Sequence, residues 1–519
     1  MAISFSNLST FFFLLVITEF LNTNMSTTLA SRQRRDTNSL VLGLRHSRET
    51  LPTPTANSGA KDHSRTTASS TKGQSEASFA VMEPLRAVRD GYIIPLYLGT
   101  PPQVIQVYMD TGSDLTWVPC GNNLSFSCLD CDDYRSNKLL GAAAIFSPSH
   151  SLSALRDLCS SSFCIDIHSS DNYIDPCAMA GCSLSILMKS SCSMPCPSFA
   201  YTYGAGGVVT GMLTRDTLRA HENVFSPNLS REIQNFSFGC VGSTYKEPIG
   251  IAGFGRGALS LPSQLGFLHK GFSHCFLPFK FANNPNISSP LVIGDSTVSS
   301  DREGNFQFTP MLKSPTYPNY YYIGLEAITV GNNSSVAQVV PLSMREFDSQ
   351  GNGGMLIDSG TTYTHLPEPI YSQLLSTLHS VISYPRSQEM EIKSGFDLCY
   401  QIPYTSDHNN NNASTTSGDY PDFLPLITFH FLNNVSLVLS GGSHFYAMGA
   451  PRNSTVVKCL LFQSMDDGDY GPAGVFGSFQ QQNVKVVYDL EKERIGFQPM
   501  DCASSAASHG LTRNPNFVG

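Results

Sequence analysis

Val104-Ile105-Gln106-Val107-Tyr108-Met109-Asp110-Thr111-Gly112-Ser113 and Met355-Leu356-Ile357-Asp358-Ser359-Gly360-Thr361 repeat one pattern, with 248 residues between the two aspartates. In each, an apolar run reads as a buried strand that delivers a carboxylate into a tight turn. The glycine two places on suits a turn that excludes a Cβ. The hydroxyls one and three places on can bond the carboxylate or nearby backbone. A single such turn is a common accident. Two at half-chain spacing predict duplicated lobes whose aspartates meet at the join.

The rest of the chain fits a large, turn-rich protein. Its 519 residues allow two or more compact units, and a single small domain is excluded. Only 14% of residues are charged, while Gly (41), Pro (31), Phe (32) and Tyr (21) are abundant, so most of the fold is expected to be β. Gly91-Tyr92-Ile93-Ile94-Pro95-Leu96-Tyr97-Leu98-Gly99-Thr100-Pro101 reads as a strand and sharp turn leading into the first aspartate strand. Beyond Pro367, Tyr371, Leu374, Leu375, Leu378, Val381 and Ile382 form an apolar stripe at helical spacing, which predicts a core-facing helix.

Export signals cluster outside the repeated motifs. Phe11-Phe12-Phe13-Leu14-Leu15-Val16-Ile17 is too short to span a bilayer and stands where a signal peptide has its apolar core, giving residues 1–30 as a signal peptide. Residues 31–77 are expected to be a disordered prosegment. They are basic and poor in aromatics, lack the apolar surface to fold alone, and precede an anionic body that could hold them by ion pairing. All fourteen cysteines follow Arg35, and an even set in an exported chain implies disulfides and an oxidising compartment. Nine of them, from Cys120 to Cys196, predict a stapled, loop-rich insert of unassigned connectivity. Cys128-x-x-Cys131 also permits zinc, but histidines at ligand spacing are missing, so no metal is expected. Sequons at Asn123, Asn228, Asn235, Asn286, Asn332, Asn333, Asn412, Asn434 and Asn453 suit a secreted glycoprotein. Asn235, within an apolar run, is the one expected to stay unmodified. The polar end from Ser504 to Gly519 argues against a glycolipid anchor.

Asp110-Thr-Gly-Ser-Asp-Leu-Thr-Trp-Val-Pro, Tyr203-Gly-Ala-Gly-Gly, Asp358-Ser-Gly-Thr-Thr and Val475-Phe-Gly-Ser-Phe together resemble the pepsin-like aspartic proteases, from about residue 90 to 502. Gly253-Phe-Gly-Arg-Gly-Ala-Leu-Ser-Leu-Pro-Ser-Gln-Leu, Gly477-Ser-Phe-Gln-Gln-Gln-Asn and the cysteine-rich insert look like the plant nepenthesin-like branch. The resemblance implies a bilobal β fold, with residues 78–305 as the N-terminal lobe and 306–519 as the C-terminal lobe, around a cleft. It implies a monomeric aspartic endopeptidase without cofactor. Polypeptides would bind extended across the cleft and pepstatin-like inhibitors would compete, with no nucleic acid as partner and no stable membrane anchor. The destination is extracellular (apoplast or cell wall), with the vacuole as the other possibility.

Two carboxylates meeting at one point cannot both ionise, so one can serve as base and the other as acid. By resemblance, Asp110 and Asp358 form this catalytic dyad. Thr111, Gly112 and Ser113, with Ser359, Gly360 and Thr361, would support it: Ser113 and Thr361 bond the outer carboxylate oxygens, while Thr111 and Ser359 reach across the lobe interface. Tyr203 and Gly204 would belong to a hairpin flap over the substrate, with the Tyr203 phenol bonded to the indole of Trp117. Ile251-Ala252-Gly253 and Val475-Phe476-Gly477 would thread behind each active-site loop. Two other readings share the fold: a protease-like inhibitor and a cell-wall binding protein in which the dyad is vestigial. Neither supplies a reason to keep both aspartates, their hydroxyl partners and Tyr203.

Overall fold

Each aspartate strand gains its place from a parallel neighbour supplied by a distant part of the chain. In the computed structural model Gln103–Asp110 lies antiparallel to Tyr92–Leu98 and parallel to Gly250–Gly253, so Gly253 stands beside Asp110. Met355–Ile357 repeats the arrangement, parallel to Gly474–Phe476 and antiparallel to Tyr322–Ile323. In both halves the threading strand also meets an antiparallel strand that follows the aspartate turn: Ile251 faces Trp117, and Val475 faces His365. The structure describes residues 39–46 and 91–512, apart from 122–125, 132–144, 170–173, 222–229, 282–283, 285, 295–305, 332–336, 404–423, 440, 450, 452–453 and 466–470.

The two halves share a sheet. Its strands run in the order Gln307–Pro310, Arg494–Pro499, Val484–Asp489, Phe272–Cys275, Ser289–Gly294, Ser39–His46, Tyr92–Leu98 and then into the first aspartate strand. Three strands of the C-terminal half therefore abut those of the N-terminal half across the floor of the molecule, with the junction between Val484–Asp489 and Phe272–Cys275. Stacked aromatics fill this floor, with Phe272 on Tyr488 at 4.3 Å and Tyr92 on Phe276 at 3.9 Å between ring centroids.

Ile370–Val381 is the helix that the apolar stripe predicts, with Ile370, Tyr371, Leu374 and Leu378 buried. Val381 is 48% exposed, because the final turn rotates that position off the core. All fourteen cysteines are paired. Cys128–Cys131, Cys159–Cys177, Cys164–Cys196 and Cys182–Cys192 staple the insert, and Cys120–Cys240 ties its entrance to the sheet. Cys275–Cys502 and Cys399–Cys459 complete the set.

Two expectations change. Within the tract expected to be disordered, Ser39–His46 is a strand, paired with Ser289–Gly294 on one side and with Tyr92–Ile93 on the other. Its Leu-Val-Leu-Gly-Leu run lacks the surface to fold alone but acquires partners from the sheet. The remainder of that tract and the expected signal peptide lie outside the described residues. Asn235 is exposed rather than embedded in its apolar run. It sits at a bulge in Ser230–Tyr245 with φ 58, in the left-handed region that Asn tolerates, and the bulge turns its side chain outward. Asn286 and Asn434 are likewise exposed, and the other sequons fall outside the described residues.

Candidate active site

The two aspartate turns meet face to face. Asp110 and Asp358 are 5% and 8% exposed, buried except toward the space between the lobes, and their carboxyl groups hydrogen-bond each other. Gly112 N donates to Asp110 Oδ1 at 2.9 Å, and Gly360 N donates to Asp358 Oδ1 at 2.8 Å. Ser113 Oγ donates to Asp110 Oδ2 at 2.5 Å, and Thr361 Oγ1 to Asp358 Oδ2 at 2.6 Å. Neither turn tolerates a larger residue at its glycine. A Cβ on Gly112 would stand 2.7 Å from the Asp358 carboxyl carbon, and one on Gly360 would collide with Asp110.

A second ring of hydrogen bonds locks the turns together. Ser359 N donates to Thr111 Oγ1 at 2.9 Å, and Thr111 N donates to Ser359 Oγ at 3.1 Å. Each hydroxyl then crosses the interface to the opposite strand, Thr111 Oγ1 to Ile357 O and Ser359 Oγ to Met109 O. All four groups are buried, so the bonds exclude competing water and fix the relative position of the carboxyls.

This geometry favours one shared proton. Burial, and then the neighbouring Asp110 carboxyl, raise the pKa of Asp358 from 3.8 to about 7. The proton belongs to the pair rather than to either residue. Deprotonating the pair at neutral pH would place two negative charges in a buried, tightly bonded site.

Tyr203 ends the strand Phe199–Thr202 and begins the hairpin that returns through Val208–His221. Tyr203 N bonds to Gly207 O at 2.8 Å and closes the tip, while Gly204, Ala205 and Gly206 are exposed. The buried Trp117 Nε1 donates to Tyr203 Oη at 2.7 Å, so the hairpin's tyrosine is tethered to the strand that follows the first aspartate turn.

Three groups beside these turns lie outside the site that the motifs predict. Asp114 accepts from Gly257 N at 2.7 Å and from Asn319 Nδ2 at 2.8 Å. Gln481 Nε2 donates to Phe476 O at 3.0 Å and lies 3.4 Å from Asp358 O. Asp114 stands inside the Asp110 motif, and Gln481 inside the glutamine run after Gly477, so a polar side chain just past a buried strand was the available signal. Asn319 carries no local signal at all.

Comparisons with known proteins agree with the fold and the motifs. Residues 92–295 match the family described as xylanase inhibitor N-terminal, and residues 320–499 match xylanase inhibitor C-terminal. A probable aspartyl protease of Arabidopsis thaliana is 32% identical over 80% of this chain and 82% of its own length. Aspartic proteinase nepenthesin-1 of Nepenthes gracilis is 30% identical over 80% of this chain and 78% of its own. Among solved structures, conglutin gamma from lupine seeds superposes with a TM-score of 0.53 at 17% identity, covering 92% of this chain and 97% of that one. Basic 7S globulin from soybean gives 0.54 at 18%, with 92% and 99% covered, and these two likenesses concern the fold alone. The chain belongs to the nepenthesin-like plant aspartic proteases.

Proposed function

We propose that this protein is a secreted endopeptidase that hydrolyses peptide bonds in acid, with Asp110 and Asp358 as its catalytic pair. One observation carries the proposal: two carboxyl groups bonded to each other in a matched cradle of turn amides and hydroxyls.

Such a pair can perform both halves of the reaction. The ionised carboxyl takes a proton from a water molecule whose oxygen attacks the scissile carbonyl carbon. The protonated carboxyl donates to the carbonyl oxygen, giving a neutral gem-diol. Collapse returns a diol proton to one carboxyl while the amide nitrogen accepts a proton from the pair. The C–N bond breaks, and a carboxylic acid and an amine leave. Thr111, Ser113, Ser359 and Thr361 hold the acids in place, and Gly112 and Gly360 supply amide donors. The Tyr203–Gly204 hairpin closes over an extended polypeptide and sheds water, with Trp117 restraining the phenol. Pepstatin-like inhibitors would occupy the same cleft. The disulfide set supports an oxidising destination, extracellular or vacuolar.

The family description as a xylanase inhibitor favours a second reading, in which the fold binds another protein and cleaves nothing. The complete dyad and its four hydroxyls favour catalysis. The test is cleavage of denatured haemoglobin in mild acid, with and without pepstatin. Asp110→Asn and Asp358→Asn are each expected to cut turnover by about three orders of magnitude while leaving the circular dichroism spectrum unchanged. A correctly processed protein with no pepstatin-sensitive cleavage would favour the binding reading instead.

A further inference from the structure

The Gly253-Phe254-Gly255-Arg256-Gly257 segment runs along the back of the first aspartate turn. Phe254 N donates to Asp110 O at 2.7 Å, and Gly255 N to Ser113 O at 2.9 Å. Gly257 N donates to Asp114 Oδ1 at 2.7 Å. The glycines at 255 and 257 are required by this packing, since a Cβ on either would collide with the Asp114 carboxyl.

The other Asp114 oxygen reaches the opposite half. Asn319 Nδ2 donates to Asp114 Oδ2 at 2.8 Å, and Arg256 N donates to Asn319 O at 2.9 Å. Two residues beyond Asn319, Tyr321 O accepts from the amide of Ile357, the residue before Asp358, at 2.9 Å. Tyr321 Oη also donates back to Phe254 O at 2.8 Å. A continuous chain of bonds thus leads from one dyad turn through Asp114 to the other.

We propose that Asp114 is a positioning residue for the dyad, a joint between the halves that fixes how the two aspartate turns meet. This deepens the protease reading and rests on it. The second half does not repeat the device: Thr362 occupies the place of Asp114, and the threading segment there carries Ser478 and Phe479, whose amides bond the Thr361 and Thr362 carbonyls. The joint is a single asymmetric clasp.

Its surroundings make the clasp sensitive to acidity. The groups facing Asp114 are Asp110 on its own turn, Asp166 on the helix Ser162–Ile167, Tyr201 on the flap strand, and Tyr320 and Tyr321 on the approach to the second aspartate. Arg256 lies nearby but is engaged by both oxygens of Glu493, at 2.7 and 3.0 Å. Burial, followed by the Asp166 and Asp110 carboxyls, raises Asp114 from 3.8 to about 6, against the opposing bonds from Gly257 and Asn319. The carboxyl is therefore neutral in acid, and its ionisation toward neutrality puts a buried charge beside the Asp166 and Asp110 carboxyls, a cost that the bonds from Gly257 and Asn319 only partly offset.

The experiment uses the purified enzyme on denatured haemoglobin, together with thermal unfolding from pH 3 to pH 7. Asp114→Ala and Asn319→Ala are each expected to lower kcat about tenfold or more with little change in KM, and their double variant to lose no more than the larger single loss. Asp114→Asn keeps an acceptor for Gly257 N, and its amide can bond Asn319 after that side chain flips. It is expected to recover most of the kcat in acid and to flatten the fall in thermal midpoint between pH 4 and pH 6. Wild-type kcat in both alanine variants, or an Asn variant whose midpoint falls with pH as the wild type does, would overturn the proposal. If Asp114→Ala does not fold, the Asn variant still decides. Absence of cleavage by the wild type would sink the protease reading alone, because the thermal comparison needs no turnover.

Discussion

Asp358 has a raised pKa in the folded state, about 7 against 3.8. The sign of the linkage follows directly: its contribution to stability is complete below pH 3.8 and is lost as pH climbs through about 7, because the unfolded carboxyl ionises freely and the folded one does not. Asp358→Asn, which cannot ionise, is therefore expected to gain in thermal midpoint on the wild type as pH rises across this window. An identical profile in both proteins would mean that the pair does not hold its proton through this range. The aspartates and their hydroxyls were legible in the sequence because each turn carries all its bonding groups within four residues. Asn319 was illegible, since its partner Asp114 lies 205 residues away and neither neighbourhood announces the contact.

The strand Phe272–Cys275 carries an opposing effect. His274 is fully buried, stacks on Phe276 at 3.8 Å between ring centroids, and neither ring nitrogen has a hydrogen-bond partner. Burial lowers its pKa from 6.5 to about 3. Here the folded state resists protonation, so stability is complete above pH 6.5 and is lost as pH falls toward 3. His274→Phe preserves the stack and removes the titration. The variant is expected to gain on the wild type progressively below pH 6.5, reaching on the order of a few kcal/mol near pH 3 in denaturant titrations. A gain independent of pH would point to packing instead. The apolar stripe predicted the helix Ile370–Val381 because periodicity and burial coincide there. The strand at Ser39–His46 escaped the same reasoning: its short apolar run sits in a polar, basic tract, and only the distant Ser289–Gly294 makes it a strand.

At the scale of the whole molecule, the duplicated lobes were readable from motif spacing, but the way they interlock was not. Phe272–Cys275 pairs with Val484–Asp489 across more than 200 residues, and such contacts leave no mark in local composition. Cys275–Cys502 pins that junction, joining residues 227 apart. Replacing both cysteines by alanine is expected to cost about 3–5 kcal/mol in denaturant unfolding, from the restored freedom of a long loop, and to expose the helix Cys502–Ser508 to limited proteolysis. Unchanged stability would show that strand pairing alone holds the closing segment. The shared floor also carries a consequence for biosynthesis. The last strands to leave the ribosome, Val484–Asp489 and Arg494–Pro499, are inner members of the sheet on which the earlier half rests. A chain that lacks them leaves Phe272–Cys275 with an unpaired edge, so the join between the halves closes only when these two strands are in place.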